Sequence, residues 1–492
     1  MLSSSRLRDA GIVVIAAVAL AAAFPKFGAA WLAPFGAAAL FWTWQGASWR
    51  WAAALGWLAG MIFFAIDFAW IGHTVGSYIG PFGPFLMIGA ALLEAPFFAL
   101  AGILATLACR YARPELAPLA GAAGFAVADW LRSVGELGAP FYQLGYTQAD
   151  SPLRAIAAYA GTYGITFVLC VAGAYLADAL RRRTWRPLAI AFAALAVLST
   201  TAWFAWPARR LPVPTIQVAA IQGNIAQSLK WNSLDLAVTR YEAMTRAAAA
   251  RKPKLIVWPE TVIPTVLDPV LMRRFLALAA ASHATIVAGS LREFAGQEYN
   301  SLFVFQPDGT LAFYDKRQLV PFAETFPLRR SLSWLPYAGE LIGRFSSGHV
   351  DGVYRSTALT FAPLICWEST FSDLAFAQLR RGAQLLVIST DDAWFGTTSG
   401  PYAHAQIAQL RAIESGAYVV RAAATGISGI IAPDGTWQTR SRMEERIAIQ
   451  GKVGPRVWTL FGEIGPTVVA LALAALYLVL LLVPRRNGDV VP

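Results

Sequence analysis

The sequence predicts a membrane α-helical bundle of about eight spans that carries an extracytoplasmic α/β domain. Three observations predict it. Charged residues are scarce, at 14%, while hydrophobic residues make up 57%, far from the soluble average. The imbalance is local: residues 1–210 hold 22 of the Asp, Glu, Lys and Arg, and the remaining 282 residues hold 47. From residue 213 onward, long apolar stretches give way to short β-rich runs alternating with helical ones.

Apolar stretches run over 9–24, 28–47, 51–72, 84–109, 117–134, 154–180, 186–206 and 464–483. Each approaches the roughly 20 residues that cross a bilayer. The first, behind Arg6 and Arg8, could be a signal peptide. The next apolar stretch follows at once, through Phe24-Pro25-Lys26-Phe27-Gly28, which favours a retained hairpin. If spans alternate, Arg6, Arg8, Arg50, Arg110, Arg113, Arg181, Arg182, Arg183, Arg186, Arg485 and Arg486 all fall on one side. That side should be cytoplasmic. The connections 73–83 and 135–153 on the other side carry no Lys or Arg. Three parts are expected: a seven-span bundle over 1–210, an outer domain over 211–456, and a last span with a cytoplasmic tail over 457–492. The net charge of +11 follows these span ends, so it argues for membrane topology and not for nucleic acid.

Asp67, His73, Glu94, Asp129 and Arg132 are polar residues within or near spans, where polarity usually marks function. Asp129 and Arg132, at i and i+3, should pair to hold the bundle together. His73 and Glu94 are expected near the outer surface.

In the outer domain, strands are expected at 215–222, 254–258, 285–289, 299–306, 357–366, 384–389, 417–423 and 427–432. Helices are expected at 233–250, 268–282, 370–381 and 401–415. Two Pro-Asp-Gly-Thr sequences, 307–310 and 433–436, signal hairpin turns. Mixed elements over about 240 residues suggest helices layered on sheets.

The chain has three cysteines, and Cys109 and Cys170 fall in apolar stretches. Cys366, after the run 357–365, has no disulfide partner in its domain, so it is either a buried small hydrophobe or a reactive thiol. Glu260 follows the strand ending at Trp258-Pro259, and Lys316 follows Leu311-Ala312-Phe313-Tyr314-Asp315. All three stand at or near strand ends, where loops carry sites. An acid, a cation and a thiol suffice for acyl transfer. A Cys–His pair with His283, His349 or His404 stays open, although His404 better suits a structural hydrogen bond. Taken singly, Glu260 could be an ordinary loop acid, and Lys316 part of a solvated charge run. Glu324 could salt-bridge Arg317, and Trp231 and Trp394 could be core or interfacial anchors.

Three segments together resemble the nitrilase superfamily: Trp258-Pro259-Glu260, Tyr314-Asp315-Lys316-Arg317-Gln318-Leu319-Val320-Pro321-Phe322-Ala323-Glu324 and Ile365-Cys366-Trp367-Glu368. With the spans, the whole chain resembles the apolipoprotein N-acyltransferase family. Asp129-Trp130-Leu131-Arg132, the run 142–148, the run 222–231 and Asp392-Ala393-Trp394-Phe395-Gly396 extend the likeness. The resemblance implies a nitrilase-like α-β-β-α sandwich with Glu260 as general base, Lys316 as oxyanion stabiliser and Cys366 as nucleophile. It further implies Glu324 orienting the lysine, the Trp367 backbone N–H in the oxyanion hole, a supporting Glu368, and Trp231, Asn300 and Trp394 near the substrate. Two departures stand out: Trp367 where tyrosine is common, and Asp391 where asparagine is usual.

The resemblance implies transfer of a fatty acyl group from a phospholipid, phosphatidylethanolamine by likeness, to the α-amine of an N-terminal diacylglyceryl-cysteine. The bacterial inner membrane with a periplasmic domain is the implied location. A monomer is expected, without metal or cofactor. Segment 325–350, rich in aromatic and basic residues, is a candidate lid facing anionic lipid. Two rivals remain: a membrane-tethered amidase or nitrilase-type hydrolase, and a transporter or receptor. The last would need an internal repeat among the spans, and the sequence offers none.

Overall fold

The computed structural model describes residues 3–80, 83–206, 211, 213–326, 345–350 and 352–485, with the side chains of 73, 75 and 77–79 excepted. The central part of the candidate lid, 327–344, lies outside the described residues, as do His73's side chain and Arg486.

The apolar stretches form helices α1 (Ser4–Ala22), α2 (Ala33–Trp44), α3 (Trp49–Asp67), α4 (Ala69–Ile79), α5 (Gly83–Tyr111), α6 (Ala117–Leu131), α7 (Ala157–Arg182) and α8 (Arg186–Ala205). The stretch expected as one run over 51–72 divides at Phe68, whose φ of −88° and ψ of 13° leave the helical region. The new segment carries Trp70 toward Phe395, with ring centroids 4.6 Å apart. Five helices among the described residues are long and apolar enough to cross a membrane: α3, α5, α7 with its preceding turn, α8 and the last helix. α6 is shorter, at 15 residues.

Close approach of small residues packs the bundle, as expected where lipid supplies no hydrophobic drive between helices. A Cβ at Gly56 of α3 would lie 2.3 Å from the carbonyl oxygen of Phe98 on α5, so only glycine fits there. The basic ends gather at one end of the bundle. Arg113 bonds to the Pro484 carbonyl, Arg485 to those of Ala112 and Cys109, and Arg181 to that of Trp42. α8 buries only Ala202 and leaves Ile190, Phe192, Val197, Leu198 and Phe204 exposed, a surface suited to lipid.

The second part runs β1 (Ile216–Gln222), α9 (Gln227–Lys230), α10 (Leu234–Ala249), β2 (Leu255–Val257), β3 (Ile263–Val266), α11 (Pro269–Ser282), β4 (Thr285–Phe294), β5 (Gln297–Phe305) and β6 (Leu311–Asp315). It continues with β7 (Tyr354–Arg355), β8 (Thr360–Ile365), α12 (Ser372–Leu379), β9 (Leu385–Thr390), α13 (Gly400–Ser415), β10 (Tyr418–Ala423), β11 (Gly429–Ile431), β12 (Trp437–Arg440) and β13 (Ile447–Val453). The last helix, α14 (Leu460–Leu482), returns to the bundle against α6 and α7.

The strands form two sheets, ordered β13-β1-β2-β4-β5-β6 with β3 on β4, and β12-β11-β10-β9-β8-β7. Their inner faces meet through Val218, Val257, Val287, Leu302, Phe361, Leu385, Val387 and Val420. α10 and α11 cover the outer face of the first sheet, packing Tyr241 and Phe275 onto Trp258, Ile286 and Phe305. α12 and α13 cover the second, through Ala375, Leu379, Ala408 and Ala412. This is the expected four-layer sandwich. Central strands are apolar on both sides because both faces are buried. Both Pro-Asp-Gly-Thr sequences turn hairpins, with Gly309 at φ +88° and Gly435 at φ +78°, and with Asp308 and Asp434 each accepting the N–H two residues on.

Glu94 is buried against other side chains, 3% exposed, and bound to the Arg132 guanidinium at 2.5 Å. Arg132 also pairs with Asp129 at 3.0 Å, as its spacing predicts, and donates to the carbonyls of Ala139, Phe141 and Tyr142. A buried guanidinium needs such partners. The loop after α6 therefore folds inward, and residues 140–149 are buried or nearly so.

Candidate functional site

The three strand ends of the sequence reading meet between the sheets. Glu260 follows β2 on a loop that β4 backs closely. The Trp258 N–H bonds to the Val287 carbonyl, and the Gly289 N–H to that of Pro259. A Cβ at Gly289 would lie 2.3 Å from the Thr261 nitrogen, so glycine lets this loop settle onto the sheet. The loop also touches the second sheet, because Ser389 Oγ donates to the Trp258 carbonyl at 2.7 Å.

Lys316 extends β6 by one rung, its N–H bonding to the Asn300 carbonyl. Its Nζ lies 3.0 Å from Glu260 Oε1 and 2.9 Å from Glu324 Oε1. Asn300 Nδ2 donates to the same two oxygens, at 2.7 and 3.1 Å, while Thr261 Oγ1 donates to its Oδ1 at 3.2 Å. Glu260 Oε2 accepts the Asp391 N–H at 2.9 Å, and Glu324 Oε2 accepts that of Val320 at 2.8 Å. The carboxylate of Glu324 is thus directed at Lys316. Burial would raise the Glu260 carboxyl, but Lys316, Lys230 and the Asn300 hydrogen bond together hold it below its ordinary value. Burial would likewise lower the Lys316 ammonium, yet two carboxylates push it well above its usual range. Both groups stay charged, as buried ions must when paired.

Cys366 stands where β8 passes into the short 3-10 turn Cys366–Thr370, at φ +48°. A non-glycine residue in that region stores strain, which the surroundings must hold. The contacts around the turn do so. The Cys366 carbonyl accepts from Ser369 Oγ at 2.8 Å and lies 3.2 Å from His404 Nε2. The Trp367 indole stacks on Phe141 from the bundle loop, with centroids 5.6 Å apart and planes 8° from parallel. Glu368, fully buried, accepts the Ile365 N–H on one oxygen, and those of Arg317 and Gln318 with the Tyr314 hydroxyl on the other. Glu368 therefore ties the cysteine turn to the lysine strand. Its burial pushes its carboxyl up to about 7 against these donors.

Burial and the neighbouring Glu260 raise the Cys366 thiol well above its ordinary range, outweighing the Lys316 ammonium and a side-chain hydrogen bond with Thr390. The ammonium thus does not suffice to form the thiolate, so the resting sulfur is a protonated thiol that needs a base as it reacts. Cys366 nonetheless keeps partial exposure, as an attacking group requires.

His404 has the structural role expected of it. Its Nδ1 meets Asp392 Oδ1 at 3.0 Å, and its Nε2 meets Ser369 Oγ at 2.8 Å. Asp392 also binds Arg421 at 2.6 Å. Burial alone would raise the Asp392 carboxyl, but Arg421 and His404 hold it at about 2. Trp231 and Trp394 are exposed at 50% and 40%, on loops joined beneath them by the ion pair Lys230–Asp391 at 2.5 Å. The sequence reading missed Lys230, a lysine before a tryptophan with no local sign of burial, and noted Asp391 only as a departure from the family pattern.

Two family profiles match the chain: the carbon-nitrogen hydrolase profile over residues 217–451 and the apolipoprotein N-acyltransferase N-terminal domain over 16–175. Similar curated proteins include the apolipoprotein N-acyltransferase of Methylococcus capsulatus, 33% identical over 448 residues that span 88% of each chain. That of Pseudomonas syringae pv. tomato is 34% identical over 435 residues, 82% of this chain and 83% of the relative. That of Photobacterium profundum is 29% identical over 483 residues, 93% and 92% of the two chains. With relatives of this identity along nearly its whole length and both constituent domains matched, the chain belongs to the apolipoprotein N-acyltransferase family.

Proposed function

We propose that this protein moves a fatty acyl group from a phospholipid to the α-amine of the N-terminal diacylglyceryl-cysteine of apolipoproteins, through a thioester on Cys366. The observation that carries the reading is a buried Glu260–Lys316–Glu324 cluster beside a strained, partly accessible thiol, set at the end of an apolar bundle. In the first step Glu260 takes the thiol proton as sulfur attacks the ester carbonyl. The Lys316 ammonium and the Trp367 N–H stabilise the oxyanion. The ester C–O bond breaks, and the proton passes from Glu260 to the departing lysophospholipid oxygen. In the second step the amine attacks the thioester and gives its proton to Glu260. The S–C bond breaks, and Glu260 returns the proton to sulfur. Trp231 and Trp394 line the approach for the lipid chains.

The division into a bundle over 1–210, a catalytic domain over 211–456 and a last span with tail over 457–492 fits this chemistry. Lipid chains cost about 0.8 kcal/mol per CH₂ to withdraw from the membrane, so the site must open to the bilayer. On this reading the arginine-rich end of the bundle faces the cytoplasm and the domain lies in the periplasm at the inner membrane, a reading supported by the clustering of basic span ends. Phosphatidylethanolamine is the proposed donor, and the protein works as a monomer.

Mass spectrometry of the purified protein incubated with phospholipid tests this. The acyl group should sit on Cys366, disappear in Cys366→Ser, and discharge to a peptide amine faster than to water. Acylation elsewhere removes the nucleophile assignment, and discharge to water favours the hydrolase. Lys316→Ala should slow acylation by on the order of 10²–10³.

A further inference from the structure

Lys230 and Asp391 form a buried ion pair that the proposed reaction does not use. Lys230 ends α9, on the first sheet's side, and its side chain is 9% exposed. Asp391 follows β9 of the second sheet and is 1% exposed. Their atoms meet at 2.5 Å. The same Asp391 donates its backbone N–H to Glu260 Oε2 at 2.9 Å. It also begins the short turn Asp392–Phe395, accepting the Ala393 N–H on Oδ1 at 3.2 Å. One residue thus contacts the carboxylate, the lysine and the turn that bears Trp394.

Two ions buried together must compensate each other. The charged and titratable groups around Glu260 come from every side: Lys316 after β6, Glu324 beyond it, Cys366 after β8, Asp391 and Asp392 after β9, and Lys230 from α9. Among them Lys230 and Asp391 act on Glu260 with opposite sign, the cation favouring its ionised form and the anion opposing it. We propose that Lys230 and Asp391 are a positioning and charge-balancing pair for Glu260, holding its carboxylate by the Asp391 N–H while cancelling the field each would exert alone. The inference rests on the reading of Glu260 as the base for the Cys366 thiol.

Removing one charge exposes Glu260 to the other. In Asp391→Asn, the unmatched Lys230 cation favours the Glu260 carboxylate, so its ionisation moves to lower pH. In Lys230→Met, the unmatched Asp391 carboxylate opposes it, so ionisation moves to higher pH. The double variant Lys230→Met/Asp391→Asn removes both fields and retains the backbone N–H.

The test is the pH profile of Cys366 alkylation by iodoacetamide in the full-length protein, read by peptide mass spectrometry. Acyl transfer from phosphatidylethanolamine micelles to a diacylglyceryl-cysteine lipopeptide is followed in parallel. The acid limb of alkylation should move by about 0.5–1 pH unit, down in Asp391→Asn and up in Lys230→Met, and return in the double variant. Limbs that stay in place, or move in the same direction, overturn the proposal and leave a purely structural clasp. If Lys230→Met does not fold, Asp391→Asn against the double variant carries the same comparison. Wild-type protein that shows the alkylation limb but transfers no acyl group fails the functional reading and not this one.

Discussion

Glu368 shows how much one side chain can carry. Its two oxygens take four donors from two stretches of chain, so the cysteine turn and the lysine strand share an acceptor. In Glu368→Gln, an amide N–H₂ must oppose one of these donors. Leaving a buried N–H unpaired costs about 1–3 kcal/mol. Thermal unfolding should show a loss of that size, and Cys366 acylation should slow by about tenfold or more as the turn relaxes. Asp392 gives a pH-dependent counterpart. Its folded pKa of about 2 lies below the ordinary 3.8, so its stabilisation is complete above 3.8 and is lost as pH falls toward 2. The gap corresponds to about 2 kcal/mol. Between pH 4 and 2, wild type should therefore lose about that much more stability than Asp392→Asn, measured by denaturation at stepped pH. Glu260, Lys316 and Cys366, the proposed triad, stood out in the sequence because each follows a strand-like run and stands in a recognisable motif. Lys230 did not, since a lysine's burial depends on a partner 161 residues away, and no local pattern announces it.

At the scale of elements, legibility followed burial. β1, β2, β4, β8, β9 and β10 are apolar runs buried on both faces, and the sequence reading found each within a few residues, apart from the second half of β4. β12 and β13 went unseen. Trp437-Gln438-Thr439-Arg440 is exposed or half-buried along its length, and β13 carries Gln450 and Lys452 among its apolar residues. Both are sheet edges, where polar side chains are normal. The segment 135–153 read as an outer connection because it lies between spans and carries no Lys or Arg, a pattern that does not reveal how Arg132 draws its carbonyls inward. The result is the Phe141–Trp367 stack, by which a bundle loop holds the residue after Cys366. Aromatic pairs contribute about 0.5–1.5 kcal/mol beyond burial. Phe141→Leu keeps most of the volume and removes the stack. Its acylation rate at saturating phospholipid should fall several-fold with little change in the donor concentration for half-maximal rate, and Phe141→Tyr should recover most of it. A loss confined to protein yield would make the contact structural only.

For the whole molecule, the question is how a domain and a membrane bundle act as one unit. The join is polar and buried. Glu414 on α13 accepts the N–H and hydroxyl of Thr162 on α7, both at 2.8 Å. Arg411, one turn earlier, pairs with Glu414 at 3.1 Å and donates to the Tyr146 hydroxyl and Thr162 Oγ1. Tyr146 in turn donates to the Thr370 carbonyl, at the end of the cysteine turn. The joint therefore runs from α7 to within four residues of Cys366. Because Arg411 is buried, removing its partner leaves a charge without water. Glu414→Leu should cost about 3–5 kcal/mol, read by thermal unfolding in nanodiscs. Arg411→Met/Glu414→Leu removes both ions and should cost less than the sum of the two single changes, since coupled pairs are not additive. If the joint also transmits position, the double variant should regain stability without regaining acylation rate, because neither new side chain can hold Tyr146 and Thr162 in register with the turn. Full recovery of both would reduce the joint to an anchor, leaving the Phe141–Trp367 stack to align the thiol with the membrane.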